Sequence, residues 1–309
     1  MKKLFILLLF AAATFLYVGC SKDDDGGTTP PPPQDPIVGT WISEGADVAL
    51  GLVATLKTVK IVATFNANKT YNVIATDSAG ANVTYSGTYT VTENSGTAIR
   101  SIVLNQSAPT SITSTGIYQV DANGFLKYEV IQTTPAIAGF TPPTAGEGFG
   151  STKFNGTSLG QTWIQNFVPA NPTKEYLVGT WVSEGNNVAP GLKATLKTKR
   201  IVATFNANNT YTVVATDSFD VSVTYTGTFT TQSNQNTSIR NITLNQTTPT
   251  SVTSQGIYRV TTKDLTYEVI QTTPAIQGFT APTASEGFGS TKFNNIKLGA
   301  TWIQKFVKQ

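Results

Sequence analysis

The chain has 309 residues, 39% hydrophobic, 13% charged and 10% aromatic, with one cysteine, one methionine and no histidine. The missing histidine excludes serine–histidine and cysteine–histidine nucleophilic catalysis, histidine-ligated metals and histidine pH switches for this chain's own residues, and a lone cysteine makes neither an internal disulfide nor a thiolate metal site. The formal charge of +3 falls to +1 once Lys2 and Lys3 leave with the leader described next, so nucleic acid is not an expected partner.

Residues 1–19 join Lys2 and Lys3 to an apolar stretch from Leu4 to Val18 and then small Gly19, the layout of a secretory signal peptide. The apolar run of about 15 residues is too short for a bilayer-spanning helix. Cys20, the only cysteine, follows at once. This placement resembles the lipobox of bacterial lipoproteins, with Tyr17 standing where that family usually has leucine. The resemblance implies cleavage before Cys20, a diacylglycerol on its sulfur, and the membrane as a partner through that lipid anchor. The run Asp23–Asp25 looks like the acidic signal that sends some Gram-negative lipoproteins to the outer leaflet of the outer membrane, facing the cell exterior; a solvated spacer is the alternative. Pro30–Pro33 read as a stiff polyproline II spacer that completes a tether over residues 20–36.

From Ile37 the chain repeats itself. Val38-Gly39-Thr40-Trp41 recurs as Val178-Gly179-Thr180-Trp181, and Tyr128-Glu129-Val130-Ile131-Gln132 as Tyr267-Glu268-Val269-Ile270-Gln271, with one residue lost from the intervening hairpin of the second copy. These are two homologous domains, 37–168 and 176–309, joined by a linker over 169–175. Within a copy the apolar period is two. Strands are expected at 38–43, 57–66, 70–77, 82–92, 98–106, 115–121, 125–133 and 161–168, separated by turn sequences such as Asn66-Ala67-Asn68-Lys69 and Asp121-Ala122-Asn123-Gly124. Eight short strands with short connections predict an all-β pair of up-and-down antiparallel barrels, with two-sheet sandwiches as the alternative. Two stretches break the rhythm: Glu44–Leu56, expected to hold a short helix or apolar lid, and the long connection Pro135–Gln161.

A first strand opening Gly-Thr-Trp, followed by eight strands in one copy, resembles the lipocalins and the wider calycin superfamily of ligand-binding barrels. The resemblance implies that Trp41 and Trp181 close one end of each barrel against a basic side chain from a distant strand. It covers each copy in length and strand count through a three-residue motif.

Sorting strand faces gives the candidate site. Arg100 and Gln106 share a face with Ile102 and Leu104, as do Arg240 and Gln246 in the second copy; Tyr128 and Gln132 (Tyr267 and Gln271) share another, and Gln165 (Gln304) lies between Trp163 and Phe167. An interior with arginine, glutamine and aromatics points to a cavity holding water or a polar ligand, or, for the arginines, to closure against Trp41 and Trp181. All four tryptophans sit in period-two patterns and read as core. In the long connection, Phe140, Glu147, Phe149 and Lys153 recur as Phe279, Glu286, Phe288 and Lys292 while the hairpin tips diverge. This loop is expected to cover a barrel end, offering those groups to a ligand or packing as a lid.

Chemistry beyond binding has little support. Gly146-Glu147-Gly148-Phe149-Gly150 lacks the lysine spacing of a phosphate loop, and Ser151-Thr152-Lys153 lacks the spacing of a serine–lysine nucleophile. The carboxylates Glu44, Asp77, Glu129 and Glu147 recur in both copies, leaving a two-carboxylate hydrolase as a minor alternative. The expectation is a non-catalytic, surface-tethered binding lipoprotein needing no cofactor or metal, whose ligand, a small molecule, glycan or protein, the sequence does not name. An adhesion or structural protein is the rival.

Overall fold

The computed structural model describes residues 34–171, 175–234 and 237–309. The leader, Cys20, the acidic run and the prolines lie outside the described residues.

In the first copy, β1 (Gly39–Glu44), β2 (Thr58–Phe65), β3 (Thr70–Asp77), β4 (Asn82–Thr92), β5 (Arg100–Ala108), β6 (Ile112–Val120), β7 (Leu126–Thr134) and β8 (Gln165–Pro169) form an antiparallel meander. It closes because β8 pairs with β7, placing Gln165 opposite Tyr128, and also with β1, placing Trp41 opposite Pro169. The second copy repeats this with β9 (Gly179–Glu184), β10 (Thr198–Phe205), β11 (Thr210–Asp217), β12 (Ser222–Gln232), β13 (Arg240–Thr248), β14 (Val252–Val260), β15 (Asp264–Thr273) and β16 (Gln304–Lys308). The architecture is therefore two closed eight-stranded barrels and not sandwiches. Closure leaves no unpaired strand edge within either barrel.

The break after β1 is a 3₁₀ turn followed by helix α1 (Leu50–Leu56), matched by α2 (Pro190–Leu196). The last strand begins later than the sequence indicates. Gly160–Trp163 is a 3₁₀ turn, opened by Gly160 at φ +56°, so Trp163 leaves the face it was assigned to and reaches toward α1. The β5–β6 hairpin is likewise tighter than expected, and β5 passes a bulge opposite Gly87, where a Cβ would lie 2.1 Å from the Asn105 carbonyl oxygen.

One end of each barrel is sealed. Trp41 is buried with Ile37, Tyr89, Tyr118 and Leu126, and its indole N–H donates to the Ile37 carbonyl at 2.7 Å. Asp35 accepts from Arg100 at 2.9 Å and from the Tyr118 hydroxyl at 2.7 Å. Glu175 does the same beneath Trp181, accepting from Arg240 at 3.1 Å and Tyr258 at 2.9 Å. Asp35 and Glu175, which the sequence reading leaves in tether and linker, are thus the carboxylates that hold the base together; a single acid ahead of a strand carries no periodic signal.

The barrels touch through unlike surfaces. The segment after β1 in the first barrel meets the base of the second: Glu44 accepts from the Ser238 hydroxyl at 2.6 Å, and buried Asp47 accepts from the Thr262 hydroxyl at 2.7 Å. Gly45, at φ +65°, lies so close to the Arg259 guanidinium that a Cβ would sit 2.6 Å away. The equivalent positions in the other copy are Asn187 for Asp47, Ala98 for Ser238 and Gln119 for Arg259, and the hairpin carrying Thr262 is the one that lost a residue. Divergence between the copies at these positions follows from a head-to-tail contact, in which each copy presents a different face.

Burial pushes the Asp47 carboxyl above its ordinary range, with nearby Asp264 adding to the rise and Thr262 and Lys263 opposing it. The folded state therefore binds the proton more tightly than the unfolded one, and that contribution to stability is full below the ordinary carboxylate range and is lost as pH rises through the raised value. Denaturant unfolding should show Asp47→Asn gaining stability over the original chain as pH rises from acid to neutral, because only the original side chain must ionise in its buried place.

Candidate functional site

Above each sealed base the lumen is hollow. The first barrel holds a cavity of about 380 Å³ and the second one of about 350 Å³, within the range of small-ligand sites. Ile61, Ala63, Phe65, Val73, Leu104 and Phe167 are among the apolar residues of the first wall, and no charged side chain lines either cavity. Leu52 of α1 and Trp163 narrow the mouth at the end opposite the base. Gly51 lets α1 lie on that indole, since a Cβ there would come within 2.9 Å of the ring.

Polar atoms in this lining are few and placed. Tyr71 on β3 and Tyr128 on β7 both face inward, and among the described residues neither hydroxyl has a hydrogen-bond partner. Burial pushes the Tyr71 phenol up to about 12; Tyr128 is also raised, by burial and by the neighbouring Tyr71. Tyr211 and Tyr267 repeat this, Tyr211 again reaching about 12. Both pairs therefore stay protonated at neutral pH and remain hydrogen-bond donors. Each hydroxyl opens onto the lumen and is not sealed in the wall, so the cavity offers donors to an oxygen acceptor. Tyr85 and Ser114 add hydroxyls to the same wall.

The structure brings part of the sequence-derived set together. Gln106, Tyr128, Gln132 and Gln165 line the first cavity, and Gln246, Tyr267, Gln271 and Gln304 the second. Gln106 and Gln132 spend their amide N–H on the carbonyls of Thr110 at 2.9 Å and Pro135 at 2.7 Å. Gln165 ties β8 to the segment before α1, accepting from the Ala49 N–H at 2.9 Å and donating to the Ser43 hydroxyl, and Gln304 does the same with Ala189 and Ser183.

The remaining candidates lie elsewhere. Arg100 and Arg240 are at the barrel bases, paired with Asp35 and Glu175 and not stacked on the tryptophans; in the second barrel Lys308 of β16 lies over Trp181, 5.4 Å from the ring. Phe140 packs edge-on against Trp163 at 6.0 Å, as Phe279 does against Trp302 at 6.1 Å. Glu147 pairs with Lys153 at 2.6 Å and Glu286 with Lys292 at 3.1 Å, each lysine holding its carboxyl below the ordinary range. Phe149 lies under Lys127 and Phe288 under Arg259, at 4.7 and 5.5 Å. None of these eight loop side chains lines a cavity.

The long connection is consequently a strap more than a cover. Its ends, at Ile137 and Trp163, reach the mouth, but its middle lies on the outer wall of β7. Glu129 points outward there by strand alternation, is fully buried, and accepts from the N–H groups of Gly150 at 2.6 Å and Thr152 at 3.0 Å. Glu268 holds Gly289 and Thr291 in the same way. The other recurring carboxylates have separate engagements: Glu44 at the barrel contact, Asp77 with the N–H groups of its own hairpin at 2.9 Å, Glu147 with Lys153.

Face sorting overlooked Tyr71, Tyr85 and Ser114. A signal for them was present, because every residue lining the second cavity has the identical residue at the equivalent position of the first, these included. A wider cleft of about 540 Å³ between the barrels is bordered in part by residues that differ between the copies, such as Lys263 and Asn123.

No family model matches the chain. No curated protein matches it either. The tandem barrels therefore stand on their own geometry, and the site on its chemistry.

Proposed function

We propose that this chain is a lipoprotein, anchored through Cys20 in the outer membrane and facing the cell exterior, whose two barrels bind a small, uncharged, largely apolar molecule without transforming it. The observation that carries this reading is the pair of partnerless tyrosine hydroxyls set in an apolar, uncharged cavity and repeated residue for residue in the second barrel. An occupant of about a dozen non-hydrogen atoms matches that volume. Its apolar body replaces water along the aliphatic wall, and one oxygen acceptor meets Tyr71 and Tyr128. A carboxylate or ammonium would enter without a counter-charge, which a lining of this kind penalises heavily. The Gly-Thr-Trp opening and the eight-stranded closed barrels are similar to lipocalins and support the same assignment. Two like sites on one tether raise the capacity of each anchored chain and, for a multivalent target, its avidity.

Native mass spectrometry of the protein purified from its host membrane tests both halves of the proposal. The expected spectrum shows acyl mass on the Cys20 terminus and up to two copies of one small molecule per chain, lost on denaturation. An unacylated terminus removes the anchor, and bare barrels move the reading to an adhesion or structural protein.

A further inference from the structure

The two cavities are identical in lining, but their mouths are not. Around the second mouth Phe219, Val221 and Leu196 are 77%, 60% and 59% exposed. The hairpin tip that carries Phe219 is fastened to the end of α2, with the Ser218 N–H donating to the Lys197 carbonyl at 2.9 Å, so the aromatic knob and the helix form one rim. In the first barrel the positions of Phe219 and Val221 are Ala79 and Ala81, and those of Lys193 and Lys199 are Val53 and Val59. The second rim thus sets Phe219 and Val221 where the first has alanines, and Lys193 and Lys199 where the first has valines, around a cavity lined by the same residue types, while Leu196 is as exposed as its counterpart Leu56.

The rim charges divide into paired and unpaired. Lys199 pairs with Asp220, and Arg200 with Glu184 at 3.4 Å. Lys193 and Lys197 have no carboxylate partner among the described residues, the Lys197 ammonium meeting only the Ala194 carbonyl at 3.3 Å. Exposed phenylalanine, valine and leucine flanked by unpaired ammoniums match the boundary of a bilayer, where acyl chains take the apolar side chains and lipid phosphates take the lysines. A second copy of the chain fits worse, because a two-fold contact through this rim sets the same unpaired lysines against each other.

We infer that the rim of the second barrel, built by Leu196, Phe219 and Val221 with Lys193 and Lys197, docks on an anionic phospholipid surface and opens that cavity toward the membrane. The inference concerns the rim and is separable from the occupancy of the cavities.

The test uses the full chain carrying Cys20→Ser, so that no lipid anchor contributes, in flotation with vesicles of equal parts phosphatidylethanolamine and phosphatidylglycerol and with vesicles of phosphatidylcholine alone. The expected result is flotation with the anionic vesicles that weakens with salt and is poor with phosphatidylcholine. F219A with V221A should lower vesicle affinity by about tenfold or more, and K193Q with K197Q should remove the preference for anionic lipid. Val53→Ala in the first barrel should leave binding unchanged. Absence of flotation, equal flotation of the F219A/V221A chain, or a rim-dependent dimer in sedimentation would overturn the inference. Ligand occupancy by native mass spectrometry on the same variants keeps the two proposals apart: occupied cavities without vesicle binding refute the docking surface and leave the cavity assignment standing.

Discussion

Glu129→Ala is expected to release the middle of the strap and to cost about 3 kcal/mol of stability in the first barrel, because it leaves a buried and a half-buried backbone N–H group without their charged acceptor. Gly150 and Thr152 lose bonds of 2.6 and 3.0 Å at once, and the outer wall of β7 loses its cover. Glu129→Gln is informative beside it. The glutamine restores one acceptor oxygen but turns an NH₂ group toward a second N–H, so it should recover only part of the loss. Hydrogen exchange at Gly150 and Thr152 reads the local release, and denaturant unfolding reads the cost. Exchange unchanged in Glu129→Ala would show that the strap holds by other contacts. Glu268→Ala is the matching experiment in the second barrel, where Glu268 holds Gly289 and Thr291.

Tyr128→Phe combined with Tyr267→Phe should weaken ligand binding in both barrels by roughly fivefold per site, the worth of one hydrogen bond of about 1 kcal/mol. Phenylalanine keeps the ring and its edge-on packing against Phe167, 6.2 Å away in the first barrel. Because the hydroxyl bonds to no described residue and opens onto the lumen, the empty protein should melt close to the original. The pair of readouts is discriminating: lower occupancy with unchanged melting assigns the hydroxyl to the ligand, whereas lower melting with unchanged occupancy assigns it to the fold. Burial holds the Tyr71 phenol at about 12, so the donor stays protonated and affinity should be level from neutral pH up to about 10.

Particular residues show how far the sequence reached. Period-two runs such as Thr58–Phe65, bounded by turn residues, were enough for eight strands per copy and for their inward faces, since alternation is a local property of the extended chain. Alternation alone puts Tyr128, Gln106, Gln132 and Gln165 on the lumen side. The same rule left the arginines between a ligand and barrel closure. Face is set locally, but depth along the barrel is set by register, and Arg100 proved to sit at the sealed end with Asp35. The conspicuous loop residues Glu147, Phe149 and Lys153 recur in both copies for their own packing, as an ion pair and a cation–aromatic contact on the outer wall.

The amino-acid sequence by itself determined the duplication, the all-β class and the alternation that makes a lumen, because each depends on residues near one another in the chain. Tertiary structure decided what long-range closure decides: that β8 pairs with both β7 and β1 to leave a hollow barrel, that Asp35 and Glu175 seal its base, that Glu129 lies beneath the strap, and that Tyr71 and Tyr128, fifty-seven positions apart, face one another without a partner. It also explained why the copies differ where they do, since Asp47 and Ser238 acquire their partners, and Arg259 its close neighbour Gly45, only when one barrel rests on the other.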